Sequence, residues 1–333
     1  MLFSSSFLVI GFLKRILLIT VPIILATVAL LLVRSRNLDA RTTTISSPAP
    51  ISTSGVVESP RSASVAGASG AIASAGASEA LGSHRDIQVL TMAQVIDRAK
   101  AVRESMSENL SDYTARFVKQ ERGDTGELGE ETVIRLKVQT RLRNSSDDAP
   151  MRVFLRFEAP QSQAGRKVIW GSDLYDGKMA VHETGMLLGL KTIYLDPNGM
   201  IAMQGQKHPV SEIGLVKLVE KLIERGGEDI DDPDLQITLT PNYEFDGRQV
   251  EFLRVVRTKR KEKKTDDDYQ TAEIFLDVDR QLILRYRSFG WPTIDGEGPP
   301  LLESYTYENV ELNVGLTDTD FDVTNPEYGY PAF

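Results

Sequence analysis

The sequence predicts an α+β fold with a large antiparallel sheet and two or so helices, behind an N-terminal transmembrane helix. Three observations carry this prediction. One long apolar run lies near the N-terminus, two segments place apolar residues three or four positions apart, and many short segments alternate apolar with polar residues. The first pattern is typical of a membrane span, the second of an amphipathic helix, and the third of a sheet with one buried face.

Composition sets the first limits on function. The chain has 333 residues, of which 41% are hydrophobic and 26% charged, so it is neither wholly disordered nor a polytopic membrane protein. A net charge of -9 argues against a dedicated nucleic-acid binder, because phosphate contacts need a basic face. Because cysteine is absent, disulfides, thiolate metal sites, cysteine nucleophiles and a lipid-modified cysteine are excluded.

Residues 16–33 form the long apolar run, which carries no charge and has basic residues on both sides. This length spans a bilayer, and no small-residue cleavage site follows it. We therefore expect an uncleaved anchor behind an arm of residues 1–15. A cleaved signal peptide is the alternative.

The orientation of this anchor rests on two opposing signals. Three arginines after the span slightly outnumber the two basic residues before it, which by the positive-inside rule favours a cytoplasmic bulk. A short arm, one apolar run and a large remainder is, however, the usual layout of an exported protein. We expect a single-pass protein of the inner (cytoplasmic) membrane with its folded domain on the periplasmic side.

Residues 34–85 are expected to be a disordered stalk. Ser, Thr, Ala, Gly and Pro supply 32 of the 45 residues from 41 to 85, a composition that cannot build a core. A flexible coil of this length reaches roughly 40 Å. The folded domain is then expected over residues 86–333.

The folded domain is expected to open with an amphipathic helix. Thr91 can cap this helix, Gln94 completes a capping box, and Leu90 can pack on Val95. Apolar residues then recur every three or four positions, which predicts a helix to about Leu110.

After this helix the period changes to two. One parity carries the apolar residues of three successive segments, while the other parity is mostly polar, and this predicts antiparallel strands with one apolar face. The apolar residues are Tyr113, Ala115 and Phe117, then Ile134, Leu136, Val138 and Leu142, then Met151, Val153, Leu155 and Phe157.

The same alternation continues along the chain and is interrupted once. Further strands are expected at about 166–171, 178–183, 187–195, 235–243, 248–258, 269–278, 281–289 and 301–311. The interruption is a second amphipathic helix over about 212–225, with Ser211 as its cap and Gly226 as its stop. In total about 10 to 11 strands and two main helices are expected.

The sequence contains no pattern that points to catalysis or to a metal site. His182 and Glu183 have no second histidine four residues on, so the helical zinc spacing is missing. Acidic pairs such as Asp173 with Asp176 lie where aspartate is simply a good turn former. Nucleophile-elbow, phosphate-loop and dinucleotide motifs are absent. We therefore expect no catalytic residue, no metal ligand and no cofactor.

A dense basic run at 257–264 is a candidate contact for anionic membrane lipids. The candidate residues are Lys259, Arg260, Lys261, Lys263 and Lys264. A solvated hairpin tip is the alternative, because the run joins two expected strands and three aspartates follow it.

The order of these elements resembles two known groups of bacterial proteins. The segment YTARFVKQ at 113–120, behind a membrane signal and one helix, is similar to the start of the periplasmic lipoprotein carrier LolA and its relatives LolB and the RseB sensor domain. The segments PMRVFL at 150–155 and GRKVIWG at 165–171 resemble a family of unknown function seen mainly in planctomycetes. This second resemblance extends from about Thr91 to Phe333.

The resemblance implies a strongly curved antiparallel half-barrel whose concave apolar face is closed by helices and accepts acyl chains. The candidates for lining that cavity are Phe117, Leu136, Val153, Leu155, Phe157 and Trp170. Ordinary core packing is the alternative for each of them. The implied function is that of a non-catalytic, membrane-tethered envelope protein that binds a lipid or the acyl chain of a lipoprotein.

Two other functions stay open at this point. The same sheet could dock a protein partner, as an envelope sensor or scaffold does, and an enzyme is the third alternative. A binder of amphiphiles leaves room on the concave face, whereas a scaffold fills that face with its own side chains.

Overall fold

The structure, a computed structural model, describes six stretches of the chain. These are residues 87–123, 125–143, 149–184, 188–261, 268–294 and 296–331. The arm, anchor and stalk expected over 1–85 lie outside these stretches and stay predictions. Within the described stretches no helix combines the length and the apolar character needed to cross a membrane.

Two α-helices pack on one sheet. α1 is Met92–Asn109 and α2 is Leu215–Glu228. α1 begins as the sequence predicts, because Gln94 N donates to Thr91 Oγ1 over 3.3 Å and Thr91 N donates to Gln94 Oε1 over 2.8 Å. This reciprocal capping box satisfies two backbone donors at the helix start.

α2 begins and ends later than the sequence predicts. Val210–Glu212 forms a separate 3-10 turn, and Gly214 rather than Ser211 is the N-cap, with a φ of 111° that favours glycine. Gly226 is not a stop but lies inside the helix, where α1 approaches closely. A Cβ added at Gly226 would lie 3.1 Å from Cγ1 of Ile96.

Twelve strands form the sheet. They are β1 Gln88–Leu90, β2 Asp112–Glu121, β3 Thr132–Gln139, β4 Arg152–Ala159, β5 Lys167–Gly171, β6 Met179–His182, β7 Ile193–Leu195, β8 Leu235–Phe245, β9 Arg248–Arg257, β10 Thr271–Asp277, β11 Leu282–Phe289 and β12 Leu301–Leu312. Their order is β1-β8-β9-β10-β11-β12-β2-β3-β4-β5-β6-β7, and every paired neighbour is antiparallel. The sheet is not closed, since β1 and β7 are its edges.

The expectation of an antiparallel sheet with two helices is confirmed. The strand that the sequence pattern did not indicate is β1, which is only three residues long and pairs with β8. Three residues are too few to show an alternation, and Leu90 was expected only to pack on the first helix turn.

The inner face of the sheet carries the main hydrophobic core together with both helices. Cross-strand pairing sorts the inner side chains of the central strands into rows. The first row is Tyr113, Val138, Val153 and Trp170; the second row is Ala115, Leu136, Leu155, Val168 and Val181; the third row is Tyr307, Phe117, Ile134 and Phe157. The apolar side chains that the sequence pattern placed on one parity therefore point to the inner face of the sheet.

The outer face is also buried at β4–β6, which corrects the expectation of a single apolar face. Phe154 and Ile169 point to this side and pack against Phe321, Val323 and other residues after β12. The rings of Phe154 and Tyr328 stack with their centroids 4.0 Å apart. The C-terminal segment thus builds a second, smaller core on the convex side.

Candidate functional site

A cavity of about 550 Å³ lies between α2 and the inner face of the sheet. Its wall includes residues from eight successive strands, from β11 through β12 and β2 to β7. Laid flat, eight strands would span about 34 Å, so the sheet curves around the cavity. The connection 196–214 between β7 and α2 completes the wall.

The floor of the cavity is apolar and comes mainly from the second and third rows, together with the paired residues Met179 of β6 and Leu195 of β7. Its sheet residues are Phe117, Ile134, Leu155, Phe157, Val168, Met179, Val181, Leu195 and Tyr307, and Val210, Ile213, Leu218 and Leu222 face them from α2 and the connection before it. The first row does not line the cavity, because α2 begins over it. Leu215, the first residue of α2, is fully buried there and its N–H bonds to Tyr113.

The structure divides the six expected lining residues into two groups. Phe117, Leu155 and Phe157 line the cavity. Leu136, Val153 and Trp170 are buried in the hydrophobic core on the same face and do not line it. The indole N–H of Trp170 donates to the carbonyl of Gly177 over 3.1 Å, and this bond holds the ring in the core, away from the cavity. Ligand contact by any of these residues stays a prediction.

The mouth of the cavity lies beside α2 and the connection before it. The side chains of Lys217 and Lys221 are 35% and 40% exposed there, and Ile201 is 70% exposed. All three line the cavity as well. A ligand can therefore reach the apolar floor without unfolding either helix.

One wall of the cavity is polar and centres on Glu303 of β12. Its side chain is only 2% exposed, and its carboxylate lies 3.1 Å from Lys207 Nζ, 3.5 Å from an Arg225 nitrogen and 3.5 Å from His208 Nε2. Burial alone would raise the pKa of this carboxyl. The hydrogen bond from His208 and the charges of Lys207 and Arg225 outweigh burial and hold the pKa well below its usual value. Glu303 is therefore an anion.

Glu121 of β2 lies directly opposite Glu303 across the strand pair. Two carboxylates in this position repel each other unless donors lie between them. The Tyr305 hydroxyl lies 2.8 Å from Glu121 and 3.1 Å from Glu303, and Lys119 Nζ lies 3.0 Å from Glu121. Burial, and then the two carboxylates, raise the pKa of Tyr305, so its hydroxyl stays protonated and donates to one of them at a time.

The sequence pattern contains a signal for this polar wall. Lys119 and Glu121 have the same parity as Phe117, and Glu303 and Tyr305 have the same parity as Tyr307. The inner face therefore continues past the apolar residues into charged ones. Charged residues on the buried parity of two expected strands indicate a polar cavity rather than a closed core.

The structure describes three of the five basic residues that are expected to contact anionic lipids. Lys259 pairs with Asp234 at 2.9 Å, Arg260 with Asp268 at 2.6 Å, and Lys261 with Asp229. Lys263 and Lys264 lie outside the described residues. Contact of this run with anionic lipids stays a prediction.

Metal ligation has no candidate in the described part of the chain, where no three His, Asp or Glu side chains are grouped to hold an ion. Lysine and arginine side chains already contact the two carboxylates of the polar wall, so a metal ion would have to displace them.

The fold is similar to several solved structures. A putative outer membrane lipoprotein-sorting protein domain from Vibrio parahaemolyticus is 10% identical, with 70% of this chain and 97% of that chain covered, at a TM-score of 0.31. A LolA superfamily protein from Nitrosomonas europaea is 13% identical, with coverages of 67% and 97%, at 0.28. A chain of the Pseudomonas aeruginosa MucA/MucB complex is 13% identical, with coverages of 69% and 60%, at 0.38. These neighbours include the LolA group that the sequence resembles. Likenesses this distant carry no conclusion about what this chain binds.

Membership of a family is settled by the sequence. No curated protein matches the chain. The expected resemblance to a family of unknown function is confirmed by a match over most of the folded domain. Over residues 110–330 the sequence fits the family described as "Protein of unknown function (DUF1571)", and the chain belongs to that family.

Proposed function

We propose that this domain binds an amphiphile in the cavity and does not transform it. The observation that carries the proposal is a cavity with two unlike walls: an apolar floor mainly from the second and third rows, and a polar wall around Glu303 and Glu121. A molecule with an apolar chain and a polar head is the class of ligand whose halves match both walls.

The size of the cavity supports this proposal. About 550 Å³ lies within the range of roughly 300–1,000 Å³ that is usual for small-molecule sites. Each buried methylene contributes about 0.8 kcal/mol to binding. A chain of several methylenes over the second and third rows therefore binds without any covalent chemistry.

Glu303 and Tyr305 of the polar wall are poorly suited to acid–base catalysis. Glu303 is ionised because its pKa is held low, and Tyr305 is neutral because its pKa is raised. General acid–base catalysis needs a group that changes its protonation state near the working pH. These two groups hold their protonation states fixed there.

The place of action in our proposal is the cell envelope. The apolar run 16–33 would hold the chain in the inner membrane, and the stalk 34–85 would let the domain move on the periplasmic side. The ligand would then be a membrane lipid or the acyl chain of a lipoprotein.

Docking of a protein partner is the competing function. Both edge strands, β1 and β7, have only three residues, which is a short template for strand addition. The concave face encloses a cavity instead of being filled by its own side chains. Both observations favour the amphiphile.

Photocrosslinking tests the proposal in the membrane. The 333-residue chain in native membrane vesicles is irradiated with a fatty acid that carries a diazirine at its chain end, and labelled peptides are identified by mass spectrometry. We expect label on β2 and β4, where Phe117, Leu155 and Phe157 line the cavity, and suppression by excess unlabelled fatty acid. Label confined to residues 16–33 would refute binding in the cavity.

A further inference from the structure

We propose that the amphiphile carries an anionic head group, and that Lys217 and Lys221 of α2 bind this group at the cavity mouth. The inference rests on the proposed binding of an amphiphile and names its chemical class.

Three cations form one row along the cavity side of α2. Lys217, Lys221 and Arg225 follow one another at intervals of four residues, which places them on one helix face, each about 6 Å from the next. All three line the cavity, and so do Leu218 and Leu222 in the adjacent row. Apolar and cationic contacts for a single ligand therefore lie side by side on one helix.

The contacts of the two lysines with their carboxylate partners are long. Lys217 Nζ lies 3.4 Å from Glu220, whose carboxylate Arg103 also contacts at 2.9 Å. Lys221 Nζ lies 3.7 Å from Glu212 and 3.4 Å from Glu224. Long ion pairs between partly exposed groups contribute little, so an incoming anion can replace them.

Three of the four glutamates that line the cavity are held more tightly than these lysines; the fourth, Glu212, lies 3.3 Å from His208 Nδ1 and 3.7 Å from Lys221 Nζ. Glu303 is buried among three basic side chains, and Glu121 contacts Lys119 at 3.0 Å and the Tyr305 hydroxyl at 2.8 Å. Glu183 contacts Arg166 at 2.8 Å. At these three glutamates a cationic head group would have to break a contact of 3.1 Å or less, made by Lys207, Lys119 or Arg166. An anionic head group replaces only the long contacts of Lys217 and Lys221.

The inner end of the row has a different role. Arg225 lies 3.5 Å from Glu303, and that carboxylate needs basic neighbours because it is buried. Arg225 therefore belongs to the polar wall, and the head group binds nearer the mouth. Arg225 is unsuitable as a test site, since its removal would also disturb Glu303.

Competition for the diazirine fatty acid tests the inference on the 333-residue chain in membrane vesicles. The competitors are hexadecyl phosphate, hexadecanol and inorganic phosphate. We expect hexadecyl phosphate to suppress labelling of β2 and β4 at a lower concentration than hexadecanol, and inorganic phosphate to have no effect. Inorganic phosphate competing as well as hexadecyl phosphate would indicate a site for a free anion and overturn the inference.

The double variant Lys217→Met, Lys221→Met removes the two charges and keeps the length of the side chains. Its matched control is Lys100→Met with Lys178→Met, since both lysines are exposed and neither lines the cavity. With the labelled fatty acid at a trace concentration, so that its own affinity does not enter, we expect the first pair to weaken competition by hexadecyl phosphate by roughly fivefold, the size of effect given by partly exposed ion pairs, and to leave hexadecanol unchanged. The control pair should change neither.

The outcomes separate the two proposals. Equal competition by the phosphate and the alcohol, unaltered in the Lys217→Met, Lys221→Met variant, would overturn the anionic head group and leave amphiphile binding standing. Absence of competition by any amphiphile would overturn amphiphile binding itself. A circular-dichroism spectrum matching the wild type shows that the variant is folded.

Discussion

The backbone N–H of Leu215 donates a hydrogen bond to the hydroxyl of Tyr113 over 3.0 Å, although the two residues are 102 positions apart. Leu215 is the first residue of α2, and the first N–H groups of a helix have no partner inside it. Burial raises the pKa of the Tyr113 hydroxyl, although the bond from Leu215 acts in the opposite direction, so the hydroxyl stays neutral. This contact lies where α2 begins over the sheet, and it adds to the burial of Leu215, Val216 and Val219 in the core.

Removal of that hydroxyl should loosen the start of α2. In Tyr113→Phe the N–H of Leu215 loses its acceptor in a fully buried position, which costs about 1–3 kcal/mol. For a domain of this size the unfolding midpoint should fall by roughly 2–4 °C per kcal/mol. Thermal unfolding followed by circular dichroism measures the change. A midpoint equal to that of the wild type would show that the bond contributes nothing.

The glycine before α2 should tolerate no side chain. A Cβ at Gly214 would lie 2.8 Å from the Tyr113 hydroxyl oxygen, and its φ of 111° is unfavourable for other residues. Gly214→Ala should therefore lower the free energy of unfolding by about 2 kcal/mol or more. Gly227→Ala is the control in the same helix, where an added Cβ meets nothing within 4 Å. That variant should be neutral or more stable by up to about 1 kcal/mol, and equal losses in both would argue against the clash.

Stability should fall in acid because of Glu303. Its pKa is lower in the folded chain than the value of about 4.3 for an unperturbed glutamate. A carboxyl of this kind stabilises the fold fully above its unfolded pKa, and this stabilisation is lost as the pH falls through the folded pKa. Urea unfolding at several pH values should therefore show a declining free energy below about pH 5.

The variant Glu303→Gln assigns this pH dependence. It should be less stable than the wild type at neutral pH by about 2 kcal/mol, because Lys207 and Arg225 lose their charged partner. Its decline in acid should be shallower, since the titrating group is gone. An acid decline as steep as that of the wild type would place the effect on another carboxyl.

Two positions on β4 should respond oppositely to the same charge. Leu155 lines the cavity, whereas Val153, two residues away on the same face, is fully buried in the first row. In Leu155→Arg the long side chain can extend through the cavity toward water, so the domain should fold and lose amphiphile labelling. In Val153→Arg the charge has no such route and costs several kcal/mol, enough to unfold a marginal domain. If both variants unfold, the cavity gives the arginine at position 155 no access to water.

Within the basic run 257–264, Arg257 should contribute more to the free energy of unfolding than the exposed residues do. The side chain of Arg257 is only 3% exposed and contacts Asp229 at 2.7 Å, and Asp229 is itself buried. Arg257→Ala leaves that carboxylate with fewer donors and should cost about 3 kcal/mol in urea unfolding. Lys259 is 77% exposed and pairs only with Asp234 among the described ion pairs, so Lys259→Ala should leave stability unchanged. Equal effects of the two changes would contradict the buried ion pair.

Local patterns were sufficient for most of the elements. The capping box of Thr91 with Gln94 and the apolar spacing behind it indicated α1, since both depend on neighbouring residues in the chain. The start of α2 was predicted too early. The hydroxyl of Tyr113, on a distant strand, accepts the N–H of Leu215 at the helix start, and Ser211 does not cap the helix. The buried outer face was missed because the residues that cover it, such as Phe321, join the sheet from the far end of the chain.

The sequence by itself determined which side chains share a face, because alternation along a strand is a property of the pleated backbone and needs no distant contact. It therefore placed Phe117, Val153 and Leu155 on one side of the sheet correctly. Only the tertiary structure decided that Leu155 borders a cavity while Val153 is core. The position of α2 over the rows makes that difference, and this position depends on contacts between residues far apart in the chain, such as Leu215 with Tyr113, which no local pattern encodes.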